Sequence, residues 1–200
     1  IVFTMDTHIA QQIFHSVFFV DKDGNNPPPY TQISVDDIAS GKWMVNPAVA
    51  SGFGGGFTGL EQHVLHYAKT LADGGKYALS IWPFHAMLGG IGHALVPNIE
   101  EAGFFHTIAR GMNMTPEIKG GNPLTENYSV LRPEVLTTHG GRSIAQRNVK
   151  FIERLLANDV IIIGGQAKSH CVAWTIDDLL TEITKLDPTL TKKVYLLEDC

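Results

Sequence analysis

Val160-Ile161-Ile162-Ile163-Gly164-Gly165-Gln166-Ala167-Lys168-Ser169-His170-Cys171-Val172 is the stretch on which the fold turns. Its first four residues are apolar without alternation, the pattern of a strand covered on both faces. Two glycines end that run, and Val172, Ile176, Leu179, Leu180 and Ile183 then recur at helical spacing. A strand that passes straight into a helix is the building unit of a parallel α/β sheet. The same turn sets Cys171 at the first helical turn, where free backbone N–H groups and the helix dipole favour a thiolate. Two readings of Cys171 stand on position alone. One is a nucleophile at the carboxyl end of a parallel strand. The other is a buried structural cysteine packing like a small hydrophobe.

Outward from this unit, strand and helix patterns alternate. Residues 1–5 read as a buried strand, 60–72 as a helix with Leu60, Val64, Tyr67, Ala68 and Leu71 on one face, and 77–81 as a short strand. Residues 97–111 read as a helix, and Glu117-Ile118-Lys119 as a strand end. Ser143 and Gln146 have the spacing of a capping box ahead of a helix carrying Ala145, Val149, Ile152 and Leu156, and 194–197 is a further strand. The expectation is a single α/β domain over residues 1–200, a parallel sheet with helices on its faces. A long loop insertion at about 16–57, rich in Gly, Pro and Asn, interrupts it; loops of that length are usually lids, binding loops or oligomer contacts. The chain opens and closes inside strand-like runs, so the reading takes it as a segment of a longer polypeptide.

The composition of the 200 residues (44% hydrophobic, 18% charged) is that of a soluble globular protein. A net charge of -5 argues against nucleic acid or an anionic membrane surface as partner. No apolar run reaches the length of a membrane span. Two cysteines, Cys171 and Cys200, are too few for a disulfide framework, and a reducing cytoplasm is the expected setting. The proline-rich excursion makes a homo-oligomer the expected assembly. Histidine is over-represented, with nine copies.

Three clusters that follow strands carry candidate chemistry. Asp6-Thr7-His8, with His15 beyond it, puts a carboxylate and an imidazole on one side of an extended segment. Trp82-Pro83-Phe84-His85 follows the 77–81 strand. Asp6, His8, His15 and His85 together form a candidate site for a divalent metal, zinc, iron or manganese, with positions left for water. An unligated surface pair is the competing reading of the Asp6–His8 spacing. Lys119-Gly120-Gly121 sets a lysine at a strand end, either solvated or reaching into a pocket to stabilise a thiolate or oxyanion. His63 and His66 read as surface or helix-contact residues, and His93, His106 and His139 have no partner at a suggestive spacing.

In this order the clusters resemble the isochorismatase-like cysteine hydrolases, specifically the nicotinamidase branch. Asp6-Thr7-His8…His15 with Trp82-Pro83-Phe84-His85 is similar to the family's metal-binding D-x-H…H and W-P-x-H. Lys119-Gly120 followed by Glu126-Asn127-Tyr128-Ser129 is similar to its K-G…E-x-Y-S. Gly165-Gln166-Ala167-Lys168-Ser169-His170-Cys171-Val172 is similar to its nucleophile turn. The resemblance implies a three-layer α/β/α Rossmann-like fold and hydrolysis of a small-molecule amide, nicotinamide or similar, through a thioester on Cys171. It implies that Lys119 assists the thiolate and that the metal holds the substrate's ring nitrogen or a water. Trp82 and His170 would line the pocket. A cis peptide at Gln166–Ala167 would bring the Ala167 N–H beside that of Cys171 as an oxyanion hole.

The family's triad also uses an Asp on a first, central strand upstream of D-x-H. Asp6 is taken as a metal ligand and Asp199 belongs to another strand, so the reading expects that strand, and further chain after Cys200, outside these residues. Two other functions fit parts of the pattern. One is a non-catalytic binding or assembly protein on the same fold. The other is a hydrolase whose metal-bound water attacks while Cys171 is structural.

Overall fold

The computed structural model describes residues 1–53 and 56–198; Gly54, Gly55, Asp199 and Cys200, with the expectations attached to them, lie outside the described residues. The chain is α/β. The first strand, β1 (Thr4–Asp6), pairs in parallel with β6 (Glu117–Lys119), and β7 (Ile161–Ile163) pairs in parallel with β8 (Val194–Leu196). Each pair is joined by the crossover that parallel strands require. Helix α4 (Pro97–Arg110) lies between β1 and β6, and α6 (Ala173–Leu186) between β7 and β8. A left-handed Gly111 (φ 61°) closes α4.

One continuous parallel sheet was the expectation, and the described residues instead form four separate two-stranded ladders. Each strand is only two or three residues long, and neither β1 nor β7 has a hydrogen-bonded strand on its second edge. The mid-strand residues Ile118 and Ile162 are accordingly exposed.

The segment 16–57 also departs from its reading as an irregular loop. It contains a 3-10 turn (Ser16–Phe18), β2 (Phe19–Val20), β3 (Gln32–Ile33), α1 (Val35–Ala39), β4 (Met44–Val45) and α2 (Pro47–Ala50). Strand β2 pairs antiparallel with β4, and β3 with β5 (Leu79–Ser80). Ser34 and Asp37 close a capping box on α1. Phe18, Phe19, Ile33, Val45 and Val49 from this segment are fully buried against the apolar face of α3 (Gly56–Asp73), where Leu60, Val64, Tyr67 and Leu71 point inward. Each such side chain contributes about 1.5–3 kcal/mol of burial, so this segment builds the larger of the two cores.

The second core joins α5 (Val149–Leu156), β7 and α6 through Phe151, Ile152, Ile161, Leu179 and Ile183. Helix α5 starts later than the Ser143 and Gln146 spacing predicted. Asn148 caps it by accepting from the Phe151 N–H at 3.2 Å, while the Ser143 hydroxyl donates to the Ala145 carbonyl. Among the described residues, no helix is long and apolar enough to cross a membrane.

Candidate active site

Parallel register sets the geometry of the first group. Asp6 stands opposite Lys119 at the ends of β1 and β6, and the two side chains form an ion pair. The Lys119 ammonium also donates to the Asn127 carbonyl at 2.8 Å and lies 3.5 Å from the Cys171 Sγ. Asp6, Lys119 and Cys171 therefore form a chain of contacts in which the lysine is central. Asp6, expected as a metal ligand, is thus also the carboxylate that holds Lys119.

Cys171 lies in a five-residue π-helical turn, Lys168–Val172, that leads into α6. The Gln166–Ala167 peptide bond preceding it is cis. Burial pushes the Cys171 thiol above its ordinary range, and the nearby Lys119 charge pulls it back only in part. The Asp6 and Glu126 charges add to the effect of burial, so the expected resting thiolate gives way to a thiol. Burial also works against the Lys119 ammonium. Asp6, then Cys171 and Glu126, outweigh it and hold the lysine charged above its ordinary range. The resting pair is a thiol beside an ammonium.

The second group gathers three imidazoles. Residues 82–87 run alongside 8–15, with bridges between His8 and Met87 and between His15 and Trp82. This brings ligand atoms of Asp6, His8 and His85 within 4.8 Å of one another. His15 stands outside that set, its ring centroid 6.0 Å from that of His8. Each of the three rings is oriented by a backbone carbonyl: His8 Nδ1 meets Gly120 O at 3.0 Å, His15 Nδ1 meets Ala10 O at 3.1 Å, and His85 Nδ1 meets Pro83 O at 2.8 Å.

A carbonyl can only accept, so each Nδ1 donates its proton there, and in the neutral ring Nε2 is then the atom with the free lone pair. That is the state of a metal-binding imidazole. Burial lowers His8 to about 4 and moves His15 in the same direction, keeping both neutral at physiological pH. Among the described residues, the buried His15 Nε2 has no hydrogen-bond partner. This donor set fits a divalent cation. Gly120 is required beside it: its φ is +86°, and a Cβ there would stand 2.6 Å from His8 Cε1.

The third group is aromatic. His170 packs against Tyr77, Trp82 and Tyr128, with ring centroids 4.7, 5.4 and 5.4 Å away. The Trp82 indole N–H donates to the Tyr128 hydroxyl at 3.0 Å. Trp82 and His170, both expected at the pocket, thus stand together beside Cys171.

Several contributors had no sequence signal. The Asn127 carbonyl holds Lys119, Tyr77 joins the aromatic group, and His93 Nε2 meets the Thr7 hydroxyl at 2.8 Å. The buried His63 and the half-buried His66 are helix-contact residues, bonded to the Leu124 and Thr137 carbonyls.

A cysteine, a lysine, a carboxylate and three imidazoles thus gather at neighbouring strand ends, and comparison with solved structures gives the fold a precedent. The chain is similar to the yeast nicotinamidase Pnc1p bound to the inhibitor nicotinaldehyde, at 15% identity and a TM-score of 0.52, covering 99% of this chain and 79% of that one. A nicotinamidase/pyrazinamidase of Acinetobacter baumanii aligns at 14% identity and a TM-score of 0.49, covering 98% of this chain and 76% of that one. The chain shares the fold of that yeast nicotinamidase. No protein-family model matches the sequence, and comparison with curated proteins gives no match.

Proposed function

We propose that this chain is a metal-containing cysteine amidohydrolase that cleaves the C–N bond of nicotinamide or a related small amide. The observation that carries this reading is the Lys119 ammonium standing between the Asp6 carboxylate and the Cys171 sulfur. In the first half-reaction Sγ attacks the amide carbonyl carbon, and the negative charge passes to the carbonyl oxygen. The Ala167 and Cys171 N–H groups are the proposed donors to that oxygen. As Sγ attacks, the thiol proton passes to Lys119 while the lysine hands one of its own to the Asp6 carboxylate. As the tetrahedral adduct collapses, the C–N bond breaks. Lys119 then gives a proton to the departing nitrogen and regains one from Asp6, so ammonia leaves and a thioester remains. Asp6 keeps the lysine charged and in place. In the second half-reaction water attacks the thioester carbonyl, the C–S bond breaks, and a carboxylic acid and the free thiol result.

Asp6, His8 and His85, with His15 behind them, would hold the divalent cation, whose chemistry there is to bind a ring nitrogen or a water. The rings of Trp82, Tyr128 and Tyr77 suit a flat heteroaromatic substrate. The reading includes a cytoplasmic, self-associating enzyme.

The test is ammonia release from a panel of amides, nicotinamide first, with Cys171→Ala as the comparison. Release that disappears in the variant is the expected result. Release that persists would move the reaction to another nucleophile.

A further inference from the structure

The turn that carries the thiol has little burial of its own. Gln166, Ala167, Lys168 and Ser169 are exposed, and Cys171 is only half-buried. It is held from outside, by the dipeptide Lys76-Tyr77 that precedes β5. The Tyr77 hydroxyl donates to the Ser169 carbonyl at 2.7 Å, and its ring lies 4.7 Å from that of His170 and 5.5 Å from that of Trp174. The Lys76 ammonium sits 3.8 Å from the centre of the Trp174 ring and 3.6 Å from Glu134 Oε2.

Glu134 is tied in turn to the loop segment that holds the lysine. Its N–H donates to the Glu126 carbonyl at 2.8 Å, and Asn127, the next residue along, accepts from Lys119. The nucleophile turn and Lys119 are therefore braced against one base. The separation they must keep is the 3.5 Å between Sγ and Nζ.

We infer that Tyr77 is a positioning residue for Cys171: its hydroxyl fixes the Ser169 carbonyl and so holds the thiol within reach of Lys119. The inference rests on reading Cys171 as the nucleophile. Tyr77→Phe removes one oxygen and keeps the ring stack. A neutral hydrogen bond of this kind corresponds to roughly a two- to tenfold effect. Alkylation of Cys171 by iodoacetamide slows by about that factor, three- to tenfold in the expected case. With nicotinamide as substrate kcat falls in parallel and KM stays unchanged.

Alkylation needs no amide substrate, so a failure to find an amidase leaves this arm standing. Alkylation within twofold of the parent overturns the inference. A raised KM with unchanged alkylation also overturns it, since Tyr77 would then be a substrate contact. The conservative Lys76→Met variant, which removes the second tie through the ammonium, is expected to slow alkylation as well. Unaltered alkylation in both variants would show that the brace does not position the thiol.

Discussion

Replacing Lys119 by Met removes the charge beside Cys171 and keeps most of the stem. At 3.5 Å, an ammonium and a thiolate attract by about 5 kcal/mol in an effective dielectric near 20. Lys119 divides its charge between Cys171 and Asp6, and the cysteine is partly exposed to solvent. Half of that figure, about 2.5 kcal/mol, is the fair share of the thiolate, close to two powers of ten in its population. A thiolate of higher basicity is a better nucleophile, which returns about half of the loss on a logarithmic scale. The net expectation is alkylation of Cys171 about tenfold slower in Lys119→Met at pH 7.5.

The assay is iodoacetamide labelling followed by peptide mass spectrometry, with Cys200 resolved separately. In the parent protein the labelling rate keeps rising with pH past the ordinary thiol range, because burial raises the thiol. Labelling that is unchanged or faster in Lys119→Met would refute the claim that this lysine stabilises the thiolate.

Two further predictions concern the buried groups. The zinc content of protein loaded with zinc and dialysed, read by elemental mass spectrometry, should fall by at least about tenfold in His8→Ala, since a ring oriented by Gly120 is lost; retained metal would place the site elsewhere. Glu126 is pushed by burial from 4.5 to about 7, so between those pH values the folded protein holds more protons than the unfolded chain. Its contribution to stability is full at low pH and is lost as pH rises through 7, a difference of about 3 kcal/mol. Glu126→Gln, which holds the uncharged form, should therefore gain about 3 kcal/mol over the parent between pH 5 and pH 8 in urea unfolding. A difference independent of pH would contradict this.

What could be read ahead of the structure follows from local pattern. β6 spans Glu117–Lys119 as predicted, and the helical stripes on α3 and α6 have their inward residues where the spacing put them. That Cys171, Lys119, Asp6, His8 and His85 lie near one another was legible because each was placed just beyond a strand, and ends of neighbouring strands meet. The segment 16–57 was not legible. Its strands are two residues long and find their partners through distant pairings, β2 with β4 and β3 with β5, which leave no periodicity. The start of α5 was misplaced because Ser143 and Asn148 are both good caps, and only tertiary contact chooses between them. For the thiol, the helix start is visible in the sequence, whereas the burial that raises it depends on tertiary packing.

The aromatic surround of the nucleophile turn has an optical consequence. Two of the three tryptophans, Trp82 and Trp174, lie in the ring cluster that also holds Tyr77 and His170, while Trp43 packs against the larger core. Two of the three emitting indoles thus stand close to the nucleophile turn. Entry of an electron-poor ring, or a change at the turn itself, can be followed as quenching of native emission without attaching a dye.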